Sequence, residues 1–353
     1  MGNVRGRGAG LNPGNRFEDV RLHVLGETLD ERLAESPEGV QVRTKILDDS
    51  TRSIINAVDS PDLSFKWTVN PYRGCEHGCI YCYARPGHEY LGLSSGLDFE
   101  TTIIAKQQAP VLLRKELAAG SWKGESIVMS GVTDCYQPIE RDLRITRACL
   151  AVCLEFRQSV SIITKNSLVL RDLDLIKALH ELGLISVALS ITTLDPTLAR
   201  IMEPRASVPK ERLRALRELA ACGVPTTVMT APIIPAINDH EIPAILAAAS
   251  AEGARSAGYV LLRLPYQIKA LYEDWLRRHF PERAEKALSL LRSTRGGNLY
   301  DATPHHRMKG TGPYAEQIRA TFKTFAKRHG LNNPRTPLNT GAFRRPGERT
   351  LFD

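Results

Sequence analysis

Six short runs of β-branched and apolar residues, at 65–69, 126–130, 160–164, 185–191, 226–230 and 259–264, alternate with six helix-length amphipathic segments at 110–119, 143–156, 172–182, 210–222, 239–251 and 268–280. No other feature limits the fold as strongly. Runs without polar alternation read as strands covered on both faces, and a strand-helix-strand rhythm of this spacing demands parallel strands joined by right-handed crossovers. Such units wind into a doubly wound sheet or a barrel; the expectation here is an α/β chain forming a partial (β/α)6 barrel. In both, ligands gather at the carboxyl ends of the strands, so the residues just after each run carry the functional argument. The run at 101–105 interrupts the spacing and reads as an edge hairpin or a substrate-side insertion. Around this core the chain divides into a flexible basic tail (1–20), the barrel with an N-terminal extension (21–292), a C-terminal helical extension (293–330) and a second flexible tail (331–353). The tails are assigned from Gly, Pro, Asn and Arg replacing any periodic apolar pattern.

Directly after the first run stand Cys75, Cys79 and Cys82, three of the seven cysteines of the 353-residue chain. Gly74 and Gly78 relax the backbone enough to turn three sulfurs toward one centre. A cluster held by three thiolates keeps one iron without a protein ligand, and an open coordination position is what a catalytic centre requires. The alternative is structural zinc in a Cys3His set with His77, although His77 lies only two residues from each neighbouring cysteine, closer than finger spacings. An electron-transfer ferredoxin lacks its fourth thiolate here. Cys149, Cys153 and Cys222 fall on expected helices and read as small buried apolar residues.

The spacing Cys75-x3-Cys79-x2-Cys82, with aromatic Tyr81 before the last cysteine, resembles the radical S-adenosylmethionine (SAM) superfamily. Gly131-Val132-Thr133-Asp134-Cys135-Tyr136-Gln137-Pro138-Ile139-Glu140 after the second run is similar to the corresponding segment in the branch that contains spore photoproduct lyase and "DNA repair photolyase"-like proteins. The resemblance implies a partial barrel of the radical SAM type. It also implies a 4Fe-4S cluster on Cys75, Cys79 and Cys82, SAM chelating the fourth iron, and a 5′-deoxyadenosyl radical that abstracts hydrogen. A reductant such as flavodoxin or ferredoxin is implied as a partner. Tyr81, Gly131, Thr133 and Asp134 are then candidates for holding SAM, with Gly131 allowing close approach and the other two supplying acceptor oxygens. A turn with an Asx cap is the competing reading of that segment.

Lys165 ends the third run where it could pair with the SAM carboxylate. Ser190 and Thr192 close the fourth and are candidates for the ribose hydroxyls. Residues 231–235 offer an apolar ledge for adenine, while Asn238 and Asp239 read equally well as a helix cap. Arg263 either faces the cavity or pairs with a loop carboxylate. Cys135 is the candidate catalytic residue, because an S–H bond is weak enough to quench a carbon radical; a buried inert thiol is the alternative.

Composition narrows the rest. Basic residues exceed acidic ones by 47 to 39, a formal charge of +8, which mildly favours polyanions and leaves nucleic acid repair or modification as a candidate role. The rival is a non-enzymatic iron-sulfur protein that senses redox state or binds nucleic acid. No apolar run approaches the about 18 residues of a membrane span, and no signal peptide is evident, so a cytoplasmic location is expected. The terminal Arg349-Thr350-Leu351-Phe352-Asp353 imperfectly resembles Leu-Phe tails that grip the replication sliding clamp, with a frayed terminus as the competing reading.

Overall fold

The computed structural model describes residues 6–17, 43–334 and 336–347. Ten strands run β1 (Lys45–Asp48), β2 (Ile55–Ala57), β3 (Trp67–Val69), β4 (Tyr72–Arg73), β5 (Thr102–Ala105), β6 (Ile127–Met129), β7 (Val160–Thr164), β8 (Ile185–Ser190), β9 (Thr226–Ile233) and β10 (Ser256–Leu261). The six expected runs supply β3 and β6 to β10, all parallel, in the order β10-β9-β8-β7-β6-β3-β2. β2 closes one edge by pairing antiparallel with β3. The two edges, β2 and β10, do not pair with each other, so the barrel is open.

Burial along β7 shows why the sequence winds this way. Val160, Ile162 and Thr164 are buried beneath the helices Ala109–Ala118, Ile145–Glu155 and Leu173–Glu181, whereas Ser161 and Ile163 point inward and are only half-buried. Leu113, Leu117, Leu150, Ile176 and Leu179 from those helices meet Ile127, Met129, Ile162 and Val187 in one core. Each such side chain stabilises by about 1.5–3 kcal/mol when fully buried. Cys149 and Cys153 belong to this core and are fully buried, and Cys222 is half-buried at its margin. Inside the barrel small residues leave the amino end unfilled: a cavity of about 750 Å3 lies between Ser161, Ser186 and Thr227.

Strand boundaries moved where apolar content and hydrogen bonding diverge. The sixth strand begins at Ser256, which bridges Asn332, and stops at Leu261; Leu262 and Leu264 instead pack on the helix Ile268–His279. The run at 101–105 is not an edge hairpin of the main sheet. Its strand β5 is the centre of a separate three-stranded sheet, parallel to β1 and antiparallel to β4, that braces the chain just before Cys75. A helix at Pro281–Ser293 went unforeseen, and the expected last helix runs Gly312–Arg328, setting Ile318, Phe322 and Ala326 against Ile242–Ala251 and Tyr259.

Both flanks depart from the expected flexible tails wherever they are described. At 6–17, the amides of Gly8 and Ala9 donate to Glu100, and Arg16 pairs with Glu89 at 2.6 Å. At 336–347, Phe343 stacks on Phe156, and the Arg345 guanidinium donates to the carbonyls of Ala119 and Trp122. Segment 336–341 covers the amino-end cavity. These stretches lack a repeat because they dock as single extended segments, each side chain meeting its own partner. The clamp-like residues 349–353 lie outside the described residues. Among the described residues no helix is long and apolar enough to cross a membrane.

Candidate active site

Between β4 and β5 the chain must turn three sulfurs to one side, and two glycines make the turn possible. Gly74 has φ +79°, where a Cβ would stand 2.8 Å from His88 Cε1 and 2.9 Å from the Thr102 carbonyl. Gly78 has φ +67° and abuts Arg7. Both positions favour glycine strongly. The loop is then held from four directions. The Cys75 amide donates to the Phe99 carbonyl (2.9 Å). Fully buried Gln137, just after β6, accepts from the Glu76 amide (2.8 Å) and donates to the Gly74 carbonyl (3.1 Å). Fully buried Arg85 donates to the carbonyls of Gly78 and Cys79 and pairs with buried Glu100. Glu76 pairs with Arg205 at 2.6 Å.

All three thiols are free and face one cavity of about 450 Å3 at the carboxyl ends of the strands. Tyr81, Gly131, Thr133, Asp134, Lys165 and Ser190 line it too, so six of the expected cofactor residues are brought together with the three cysteines. Ser130 takes a left-handed conformation (φ +73°), and Gly131 lies so close to Thr68 that a Cβ would stand 2.7 Å from its methyl group. The Thr133 hydroxyl donates to the Tyr72 carbonyl (2.9 Å). Asp134 accepts from the Thr164 hydroxyl (2.7 Å), the Lys165 amide (2.8 Å) and the Tyr136 amide (2.9 Å), tying the loop after β6 to the end of β7. The Lys165 ammonium stands 5.8 Å from the centre of the Tyr81 ring. Ala231 and Pro232 form the apolar ledge, while Ile233 and Ile234 turn into the core.

Two expectations are corrected. Thr192 is fully buried and donates to Glu203 (2.9 Å), outside the cavity. Cys135 is also fully buried, in the main core with Tyr72 and Cys149, so its placement matches the inert-thiol alternative rather than a hydrogen donor at the cavity. The turn at Ser130 rotates Thr133 and Asp134 inward, and Cys135, whose amide donates to Ser130 Oγ (2.8 Å), to the opposite side. Asn238 is a staple rather than a cofactor contact or a helix cap: its side chain accepts from the Ile234 amide and donates to the Thr192 carbonyl. Arg263 faces the cavity and stacks over Tyr83 (5.2 Å).

Sequence reasoning missed the buried hub beneath Tyr81. Glu203 receives hydrogen bonds from the Tyr81 hydroxyl, the Thr192 hydroxyl and the Arg212 guanidinium, all buried. It also missed Tyr83, whose hydroxyl donates to the Gly131 carbonyl (2.7 Å), and the mouth of the cavity. There Arg307 from the C-terminal extension pairs with Asp62 and donates to Ser60 Oγ (2.6 Å), joining two segments outside the barrel.

Electrostatics keep the three thiols protonated in the absence of a bound cation. Burial pushes Cys75, Cys79 and Cys82 all upward, the nearby cations Lys165 and Arg85 only partly opposing it at Cys82. Thiolates would therefore need a bound cation to persist here. His77 is held down to about 4 by burial, with Arg212 and Lys165 adding to it and Asp134 opposing. Its ring nitrogens face Asp134 (3.5 Å) and Asn166 (3.3 Å), which leaves a Cys3His zinc set without its fourth ligand.

The structure is thus an open parallel α/β barrel with three free cysteines and a lysine lining one cavity at the carboxyl ends of its strands. The sequence profile of the Radical SAM superfamily matches residues 69–249. An uncharacterized protein of Mycobacterium tuberculosis is 34% identical over 306 residues, covering 85% of this chain and 86% of the relative. An uncharacterized protein of Methanocaldococcus jannaschii is 34% identical over 176 residues, 50% of this chain and 63% of the relative. The chain belongs to the radical SAM superfamily and is an enzyme of that class. Membership implies SAM and an iron-sulfur cluster, and three free cysteines, the donor type such a cluster takes, line the cavity. Among solved structures, spore photoproduct lyase complexed with dinucleoside spore photoproduct shares the fold, with a TM-score of 0.56 at 14% identity over 86% of this chain and 92% of that one.

Proposed function

We propose that Cys75, Cys79 and Cys82 hold a 4Fe-4S cluster and that SAM lies beside it, against Lys165, Tyr81, Gly131, Thr133, Asp134 and Ser190. The observation that carries this reading is that three unbridged thiols, two buried and that of Cys82 half-buried, line a single cavity at the strand ends together with one lysine. When bound, the cluster and SAM supply a one-electron cleavage to methionine and a 5′-deoxyadenosyl radical that takes a hydrogen atom from the substrate. The chain's residues do the rest. The Lys165 ammonium pairs with the carboxylate of SAM, a charge-assisted contact in a partly desolvated wall. Tyr81, its hydroxyl fixed by Glu203, is a flat wall of constant orientation. Ala231 and Pro232 take the adenine face and Ser190 a ribose hydroxyl. Asp134 orients the loop, three of its contacts already being made within the protein. The mouth joined by Asp62 and Arg307 limits the entry of water.

The substrate in this reading is a nucleic acid or nucleotide, and the electron donor a flavodoxin or ferredoxin. Its support is the fold shared with a lyase crystallised with a dinucleoside photoproduct, together with a formal charge of +8. The test is anaerobic reconstitution with iron, sulfide and reductant, followed by a deuterium-transfer screen of nucleic acid substrates. The expected result is one cluster per chain and SAM-dependent formation of 5′-deoxyadenosine, both lost on changing Cys75, Cys79 or Cys82 to Ala. Stoichiometric zinc without iron in the wild-type protein would overturn the reading.

A further inference from the structure

Arg263, just past β10, lines the cavity with its own bonding incomplete. Its buried Nε has no hydrogen-bond partner, its Nη1 reaches only the Met308 sulfur at 3.4 Å, and its guanidinium rests on the Tyr83 ring. Among the described residues no carboxylate comes within ion-pairing distance of it. The neighbouring cations do not relieve it. Arg307 is engaged by Asp62 and Ser60, and Lys165 stands by Tyr81. Arg295, 2% exposed, backs Arg263 with a second positive charge: it donates to the carbonyls of Leu262 and His306 (both 2.8 Å) and has its own buried Nε unpartnered. Like charge from Arg263 adds to the burial that holds Arg295 down, to about 10.

A guanidinium held without a counter-charge against an apolar wall is unfavourable until something brings it an oxyanion, and its planar fork of donors suits phosphate and carboxylate oxygens. Tyr83 and Met308 lie directly against it, and Phe65 and Val260 add apolar surface to the same cavity. An anion lodged at Arg263 would therefore sit between faces suited to rings. We propose that Arg263 anchors a phosphodiester of the substrate, with the adjoining bases laid on these apolar faces. This deepens the proposed function and rests on its assignment of SAM to the Lys165 side of the cavity. Lys165 and Arg263 then divide the two anionic ligands between them, the cofactor's carboxylate to one and the substrate's phosphate to the other.

The test compares three ligands on anaerobically reconstituted protein by calorimetry: thymidylyl-thymidine, its uncharged methylphosphonate analogue, and SAM. Wild-type protein should bind the diester at least tenfold more tightly than the neutral analogue. Arg263→Gln should erase that preference, Arg263→Lys should keep part of it, and SAM affinity should be the same in all three proteins. A purely structural role for Arg263 would not move the ratio between charged and neutral probes. The proposal is overturned if wild-type protein shows no preference for the diester, or if Arg263→Gln weakens SAM while leaving the diester unchanged. Failure of the proposed function itself would register separately, as wild-type protein without iron, because the preference between probes is readable on protein with or without a cluster.

Discussion

Replacing Arg85 tests whether the cysteine loop is held by a residue that contacts no ligand. Its side chain is fully buried, pairs with equally buried Glu100, and donates to the carbonyls of Cys79 (2.8 and 3.0 Å), Gly78 (3.2 Å), Gly96 (3.0 Å) and Ser95 (3.2 Å). Breaking a buried ion pair by removing one partner costs about 3–5 kcal/mol, because the remaining charge is left uncompensated. Glu100 keeps the amides of Gly8 and Ala9, both at 2.9 Å, which argues for the lower part of that range. The orphaned carbonyls add to the loss, at about 1 kcal/mol each where water cannot reach them. Against a total stability of about 5–15 kcal/mol, Arg85→Ala should remove a large share. With a urea slope of about 3 kcal/mol per molar, a loss of about 3–5 kcal/mol lowers the midpoint by about 1–1.7 M. Equilibrium urea unfolding of the metal-free protein under reductant measures this, and iron retained after reconstitution reports on the loop itself. Arg85→Lys keeps the charge but reaches fewer carbonyls, so it should fall between the two. A midpoint and iron content indistinguishable from wild type in Arg85→Ala would refute the idea that this side chain holds the loop.

Two further outcomes follow from the cavity and its mouth. Lys165→Ala should weaken SAM binding about one hundredfold, the consequence of an unpaired carboxylate in a partly desolvated site, while iron content stays normal; calorimetry showing unchanged SAM affinity would remove Lys165 from the cofactor site. Asp62 is held below the ordinary carboxyl value, since the His305 amide and the Arg307 guanidinium outweigh the upward effect of burial. A carboxyl lowered on folding contributes fully above its unfolded value of about 4 and loses that contribution as the pH falls through the folded value. Asp62→Asn should therefore lower the melting temperature at pH 7, by a difference that shrinks toward pH 3; a difference independent of pH would contradict the assignment.

What the sequence made legible was local. The cysteine spacing, the six parallel strands and the polar residues at their carboxyl ends each depend on neighbours in the chain, and the cavity assembles from them. Contacts between distant segments were hidden. Glu203 lies 122 residues from the Tyr81 hydroxyl it receives, and nothing around residue 203 signals that partnership. Nothing in the sequence around Arg85 signals that four backbone carbonyls and a carboxylate converge on it. The two readings of Cys135 stayed open in the sequence because one left-handed residue, Ser130, decides which side of the turn each later residue takes. The docking of the described stretches 6–17 and 336–347 was hidden for another reason: composition reports the absence of periodicity, whereas docking through Arg16, Phe343 and Arg345 needs no period.

The segment 336–347 carries a consequence for the order in which the molecule is made. Its anchors lie far back in the chain: Asn339 donates to the Leu182 carbonyl across 157 residues, and Arg345 reaches Ala119 across 226. Contacts of such separation form late, because closing a long loop is entropically unfavourable until the surfaces it joins already exist. All six barrel strands precede this segment, so a growing chain can pair them before the segment is synthesised. During that interval the cavity of about 750 Å3 at the amino end has no cover from 336–341, and the interior residues Ser161, Ser186 and Thr227 stay open to water. Docking of the segment thus closes the foot of a barrel whose strands all precede it in the chain.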